Sequence, residues 1–397
     1  MEFSDYLKRG LPRRHFLQKG IKTGLTIAAA PAVVGTLASC GAPDVEEAVD
    51  QPQLAKTIAE RFERTDLAHL PTPLEKMNNL TSLLGGPEIY IKRDDHTGLA
   101  FGGNKSRKLE FIIADALQKK SDVIITTGGV QSNWCRQTAA AARIFDIKPI
   151  LVLAKKEAGA VEFDGNLLLD HILGADIRLI EPGTDRSNIT ERIAEEERNQ
   201  GHNPYLVPVG GSRVGGNMQE PLGAVAYTQA FIEIYTEAQQ KNIPLDHVII
   251  ATGSGGTQAG LVVGAKALAP HVQIVGISIS GRKESIQQNV AAIANQTSSA
   301  LGLELSFESE EIIVFDDYVG EGYGVMYQEA ADAIATVARN EGILLDPVYT
   351  SKAMAGLMDL IGKGTVKKGE GALFIHTGGT PALFPYKDKL MKLIKQS

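Results

Sequence analysis

From Glu88 to Thr377 the chain repeats one alternation, a short β-rich run followed by a helical stretch. The runs fall at 88–92, 123–127, 149–154, 177–180, 205–209, 248–252, 274–280, 312–316 and 373–377. Between them lie Ala-rich or amphipathic segments, among them 105–119, 137–145, 222–240, 258–268 and 326–340. Strand, helix, strand in such succession predicts crossover connections and parallel sheets covered by helices. Nine runs exceed one comfortable sheet, so two α/β units are expected. A chain of 397 residues, 43% hydrophobic and 22% charged, has apolar material for both.

Charge and motif spacing exclude several classes. The formal net charge is −7, and no Lys/Arg block is long enough to track a phosphate backbone, so no nucleic-acid partner is expected. Cys40 and Cys135 cannot build a disulfide framework, and no CxxC or HExxH spacing occurs, so no metal site is inferred.

The first forty residues read as an address. Arg13-Arg14-His15-Phe16-Leu17-Gln18-Lys19 resembles the twin-arginine export motif, with Pro12 where Ser or Thr is usual. The apolar stretch from Leu25 to Ala38 is too short to span a bilayer as a stable helix. It ends in Leu37-Ala38-Ser39-Cys40-Gly41, which resembles a bacterial lipobox. Residues 1–39 are therefore expected to be a cleaved leader, with Cys40 acylated. Residues 40–65 are expected to be a tether with a helical second half, holding the protein at the membrane in the periplasm or cell envelope. The twin-arginine route carries folded proteins, which suits an enzyme that traps a cytoplasmic cofactor before export.

Ligands of parallel α/β sheets sit beyond the carboxyl ends of strands, where glycine-rich turns feed helices. Three turns have that form: Gly102-Gly103-Asn104-Lys105, Thr127-Gly128-Gly129 leading into Gln131-Ser132-Asn133, and Gly253-Ser254-Gly255-Gly256-Thr257. Lys105 falls in the first turn of a helix, where the helix dipole, Arg107 and Lys108 disfavour an ammonium. A neutral amine is what Schiff-base chemistry requires, although the spacing also fits a solvated basic helix start. In the third turn, glycine lets backbone N–H groups converge on an anion, and Ser254 and Thr257 add hydroxyls. The pattern is neither a P-loop nor GxGxxG, so it suits a phosphate monoester better than a nucleotide. Tyr349 and Thr350, in the segment from Asp346 to Lys352, read locally as a turn before a helix.

From about Leu70 to Tyr386 the chain resembles the aminocyclopropane-carboxylate deaminase / D-cysteine desulfhydrase family of fold-type II pyridoxal 5′-phosphate (PLP) enzymes. The motifs are Leu70-Pro71-Thr72-Pro73-Leu74-Glu75, Gly102 to Glu110, Gly129-Val130-Gln131-Ser132-Asn133, Gly253 to Gly260, Gly322-Tyr323-Gly324, Glu341 to Gly356 and Phe374-Ile375-His376-Thr377-Gly378-Gly379. The resemblance implies two α/β domains with parallel-rich twisted sheets and the cofactor in the cleft between them. The large domain would comprise 66–107 and 218–397, and the small one 108–217. It implies a homodimer and a small amino-acid substrate.

By the same resemblance, Lys105 holds PLP and moves the α-proton, Asn133 meets the cofactor's phenolic oxygen, and Ser254, Gly255, Gly256 and Thr257 form the phosphate loop. Ser132 lies near the substrate carboxylate, Tyr323 beside the substrate, Tyr349 against the pyridine ring and Thr350 opposite its nitrogen. The deaminase branch carries Glu at that last position. A threonine hydroxyl only hydrogen-bonds there, which suits substrates whose β-carbon bears a leaving group. The expected reaction is α,β-elimination from D-cysteine or a relative, giving pyruvate, ammonia and sulfide. Alternatives are aminocyclopropane-carboxylate deamination, another small-amino-acid deamination or racemisation, and a silent PLP- or amino-acid-binding lipoprotein. Two departures bear on the substrate: Trp134 replaces the usual His or Gln, narrowing the pocket, stacking on substrate or packing in the helix start, and Met326-Tyr327 stands where Pro-Asn is common. Cys135 reads as a buried small hydrophobe.

Overall fold

The interior apolar runs become strands buried on both faces, as parallel pairing under helices requires, while the edge run 177–180 is partly exposed. The computed structural model describes residues 50–395. One sheet has six strands in the order β1 (Leu74–Lys76), β2 (Glu88–Lys92), β10 (Gly371–Ile375), β7 (His247–Thr252), β8 (Gln273–Ser278) and β9 (Ile313–Phe315). The other has four, in the order β5 (Asp176–Ile180), β4 (Lys148–Ala154), β3 (Val123–Gly129) and β6 (Pro204–Leu206). Every pairing is parallel except the edge pair β1–β2. This is the parallel-rich α/β architecture that the alternation predicts. β1 escapes the pattern because only Leu74 of its three residues is buried. The strands of the four-stranded sheet all lie between residues 123 and 206, and the remaining strands lie outside that stretch.

Two boundaries differ from expectation. The helix Asn133–Ile144 starts four residues before the predicted 137, because Ser132 caps it: Ser132 Oγ accepts the Cys135 N–H at 3.2 Å. Asn133, Trp134 and Arg136 therefore belong to a rigid first turn rather than a loop. The expected helical second half of residues 40–65 is present, but it is docked rather than free. Residues 51–61 form the helix Gln51–Arg61, whose Leu54 and Ile58 are buried, and Arg61 donates to the Ala300 carbonyl at 2.9 Å. The apolar spacing Leu54–Ile58 gives the helix one sticky face, and that face docks on the body. The export motif and Cys40 lie outside the described residues.

A charged cluster underlies the helix Lys105–Gln118. Arg107 donates to both oxygens of Asp94 at 3.1 Å, and to Glu233 at 2.9 Å. Thr72 and Tyr227 also donate to Asp94, while Lys92 bridges Glu233 and Glu237 at 2.8 Å. Asp94 and Arg107 are almost wholly buried, so each charge depends on its partners for the solvation water no longer gives. This cluster anchors the start of the loop that leads to Lys105.

Candidate active site

That loop is held from several sides. Gly103 donates to the Asp94 carbonyl at 3.0 Å and to Thr97 Oγ1 at 2.8 Å, and Asn104 N–H reaches the Thr377 carbonyl beyond β10 at 3.1 Å. Gly102 has φ +64°, and a Cβ there would stand 2.0 Å from the Asp95 carbonyl oxygen, so only glycine fits. Lys105 follows as the first residue of its helix and lines a cavity of about 820 Å³. Burial pushes its amine down to about 8. The cause is thus enclosure, not the flanking cations expected from sequence. Arg107 turns away to Asp94 and Glu233. Lys108, itself pushed well down by burial and then by Lys105, turns to the Gly210 carbonyl and Ser212, both at 3.3 Å.

The glycine turn after β7 lines the same cavity with Gly253, Ser254, Gly255 and Thr257. Gly255, at φ +83°, opens the helix Gly256–Leu268, whose first N–H groups have no intrahelical acceptor. Gly256 stands just behind the wall, where a Cβ would meet Ser212 Oγ at 2.6 Å. Ser212 Oγ in turn lies 2.9 Å from Ser254 Oγ. Thr257 Oγ1 accepts from Asn104 Nδ2 at 3.1 Å, which leaves its own proton for an anion. Asn104 thereby links the residue before the lysine to the turn, and amine and turn share one cleft.

The remaining residues divide into wall and support. Ser132, Asn133, Trp134, Tyr323 and Tyr349 line the cavity. Tyr323 and Tyr349 are hydrogen-bonded through their hydroxyls at 2.6 Å, their rings edge to face; burial raises the Tyr349 phenol well above its ordinary value, so it stays protonated, while Tyr323, 41% exposed, is raised less. Trp134 offers shape rather than a donor: its indole N–H goes to Thr126 Oγ1 at 2.7 Å, away from any substrate. Thr350 is buried outside the wall. Its hydroxyl donates to Asp346 Oδ1 and accepts the Asp346 N–H, both at 2.7 Å. Cys135 is fully buried, and burial raises its thiol far from reactivity. No cluster of three or more metal-ligating side chains occurs among the described residues.

Some contributors were not singled out from sequence. Gly210-Gly211-Ser212 forms a second glycine turn against the first, and carries the same Gly/Ser signature after β6. Asn104 had no visible signal, because its partner Thr257 is 153 residues away. Arg186 and Arg213 also reach the cavity wall.

Strand ends of both sheets reach this cleft: Thr127, Gly128 and Gly129 from β3, Leu206 from β6, and Ala251 and Thr252 from β7. A depressed amine facing a glycine-edged cradle with spare hydroxyl protons fits a molecule that joins an aldehyde to a phosphate monoester, and its volume suits a cofactor with a small substrate. The class so defined is the lysine-bound PLP enzyme. Comparison with known sequences agrees over residues 65–378, and the chain belongs to the pyridoxal-phosphate dependent enzyme family. It is similar to a crystal structure described as an ACC deaminase homologue, with 38% identity and a TM-score of 0.78 over 86% of this chain and 99% of that one. The processed form of threonine deaminase isoform 2 from Solanum lycopersicum shares the fold at 18% identity, with a TM-score of 0.61 over 89% and 90% of the two chains.

Proposed function

We propose that this PLP-dependent lyase acts by α,β-elimination on D-cysteine or a related small amino acid, releasing pyruvate, ammonia and sulfide. One observation carries the choice. The only carboxylate on the cavity wall among the described residues is Glu191, exposed in the second turn of the helix Arg186–Asn199. Asp346 is spent on the N–H groups of Val348, Tyr349 and Thr350 and on the Thr350 hydroxyl. Among the described residues, no buried carboxylate on the cavity wall stands ready to keep a pyridine nitrogen protonated. When bound, PLP supplies an electron sink; a shallower sink favours substrates whose β-carbon expels its group at once.

The side chains fit this work. Lys105 Nζ, with its pKa near neutrality, holds and moves the α-proton. Ser132 Oγ accepts from the Cys135 N–H and keeps its own proton for the substrate carboxylate. One of the two tyrosine hydroxyls donates to the other, so the pair retains one free proton for the departing group. These features together also weigh against a silent binder, which needs few of them.

The test is a substrate panel. Pyruvate and sulfide should appear from D-cysteine, with L-cysteine and aminocyclopropane carboxylate at least about tenfold slower. A second reading, aminocyclopropane-carboxylate deamination, draws on the 38% identity to the deaminase homologue. Ring opening without turnover of D-cysteine would replace the first reading by the second.

The export motif and lipobox support a further part of the proposal, anchoring in the bacterial envelope through Cys40, and the family resemblance alone adds a homodimer. Cys40→Ser is expected to release the protein from the membrane fraction as a soluble dimer. Unchanged fractionation removes the anchor from this reading, and monomeric sedimentation removes the dimer.

A further inference from the structure

Arg136 is a fully buried guanidinium with no carboxylate at salt-bridge distance among the described residues; the buried Asp170 and Asp346 and the Tyr349 phenol act on it only through space, and one of its hydrogen bonds goes to Asn133. Its Nη1 donates to Asn133 Oδ1 at 3.1 Å and to Asn166 Oδ1 at 2.5 Å; its Nη2 donates to the Gly102 carbonyl at 2.9 Å. Asn166, also fully buried, donates from Nδ2 to Asn133 Oδ1 at 3.0 Å and to the Gln131 carbonyl at 3.0 Å.

These contacts decide which way both amides face. Arginine has donors only, so the atoms it meets on Asn133 and Asn166 must be the amide oxygens. A backbone carbonyl accepts only, so Asn166 must turn its nitrogen to Gln131. With its oxygen held by two donors, Asn133 has one remaining polar atom, Nδ2. It finds no acceptor among the described residues, and Asn133 lines the cavity. Glycine at 379 keeps the space beside it clear, since a Cβ there would lie 2.9 Å from Nδ2.

We infer that Arg136 and Asn166 are positioning residues that lock the Asn133 amide with Nδ2 as a donor facing the bound cofactor's phenolic oxygen. The inference rests on the reading of Asn133 as a cofactor contact. It also gives the buried Arg136 charge a task, because a hydrogen bond backed by a cation favours the deprotonated oxygen. Neither residue touches the cofactor; both act through Asn133.

The experiment is a pH titration of the visible absorption band of the PLP-loaded protein, on wild type, Asn133→Ala, Arg136→Met, Asn166→Ala and the Asn133→Ala/Arg136→Met double variant. Losing the donor disfavours the deprotonated oxygen, so Asn133→Ala and Arg136→Met should each raise the midpoint by about one pH unit. Asn166→Ala removes one of two locks and should raise it less. The double variant should move no further than Asn133→Ala alone. A merely structural Arg136 would lower stability and leave the midpoint in place. If Asn133→Ala shifts the midpoint while Arg136→Met and Asn166→Ala do not, or if the double variant is additive, the positioning role is overturned. If Asn133→Ala shifts nothing, the cofactor contact itself is wrong and the role falls with it. Should Arg136→Met fail to fold, Asn166→Ala decides.

Discussion

Lys105→Ala is expected to abolish the visible absorption of the purified protein and to lower turnover by about 10³-fold or more. The variant should stay folded, because the amine's environment is the cavity itself and burial, not pairing, sets its pKa. The same amine sets a pH dependence. A group depressed to about 8 is neutral in about a tenth of molecules at pH 7, whereas an ordinary lysine is almost wholly charged. Only the neutral form attacks an aldehyde, so PLP capture by the apoprotein should quicken as pH rises and level off above about 8. Capture that is flat across that range, or a coloured Lys105→Ala protein, would show that another amine holds the cofactor.

Asp94→Ala should cause the largest loss of stability, about 3 kcal/mol by denaturant unfolding. The deleted carboxylate accepts from Arg107, Thr72 and Tyr227, all in the interior. Arg107 keeps Glu233, which limits the loss to the lower end for a broken buried pair. Glu233 itself shows the strength of this cluster: burial pushes its carboxyl up, yet the bond from Arg107 and the charges of Arg107 and Lys92 hold it down at about 2. Asp94→Asn retains one acceptor and should cost less. An unfolding midpoint for Asp94→Ala equal to wild type would mean that the guanidinium is solvated some other way.

The parts of this molecule that could be read from sequence share one property: their signal is local. A buried parallel strand is a continuous apolar run, and an anion turn is glycine and serine between strand and helix, so β7 and Gly253 to Thr257 could be placed directly. Helix Gln51–Arg61 was legible as a helix, but its docking was not, because Arg61 meets a carbonyl 239 residues away. Asn104 and Arg136 escaped for the same reason: each acts on a partner brought near by folding. Thr350 is a subtler case. Only the resemblance placed it opposite the ring nitrogen, while its hydroxyl is bonded to Asp346, four residues earlier, at the turn into the helix Thr350–Gly362 that the local sequence already indicated. Trp134 is similar, since its donor is spent on Thr126 in a neighbouring strand. In both cases the local geometry had already used the side chain's donor.

The position of β10 has a consequence for biosynthesis. It inserts between β2 and β7, so the last of the described strands to be synthesised is an interior stave of the six-stranded sheet. A nascent chain can assemble β3 to β6 early, but the Thr377 carbonyl that receives Asn104 arrives only after β10 has threaded into its slot. Vitamin B6 loading is then expected to follow the synthesis of β10 and Thr377 rather than precede it.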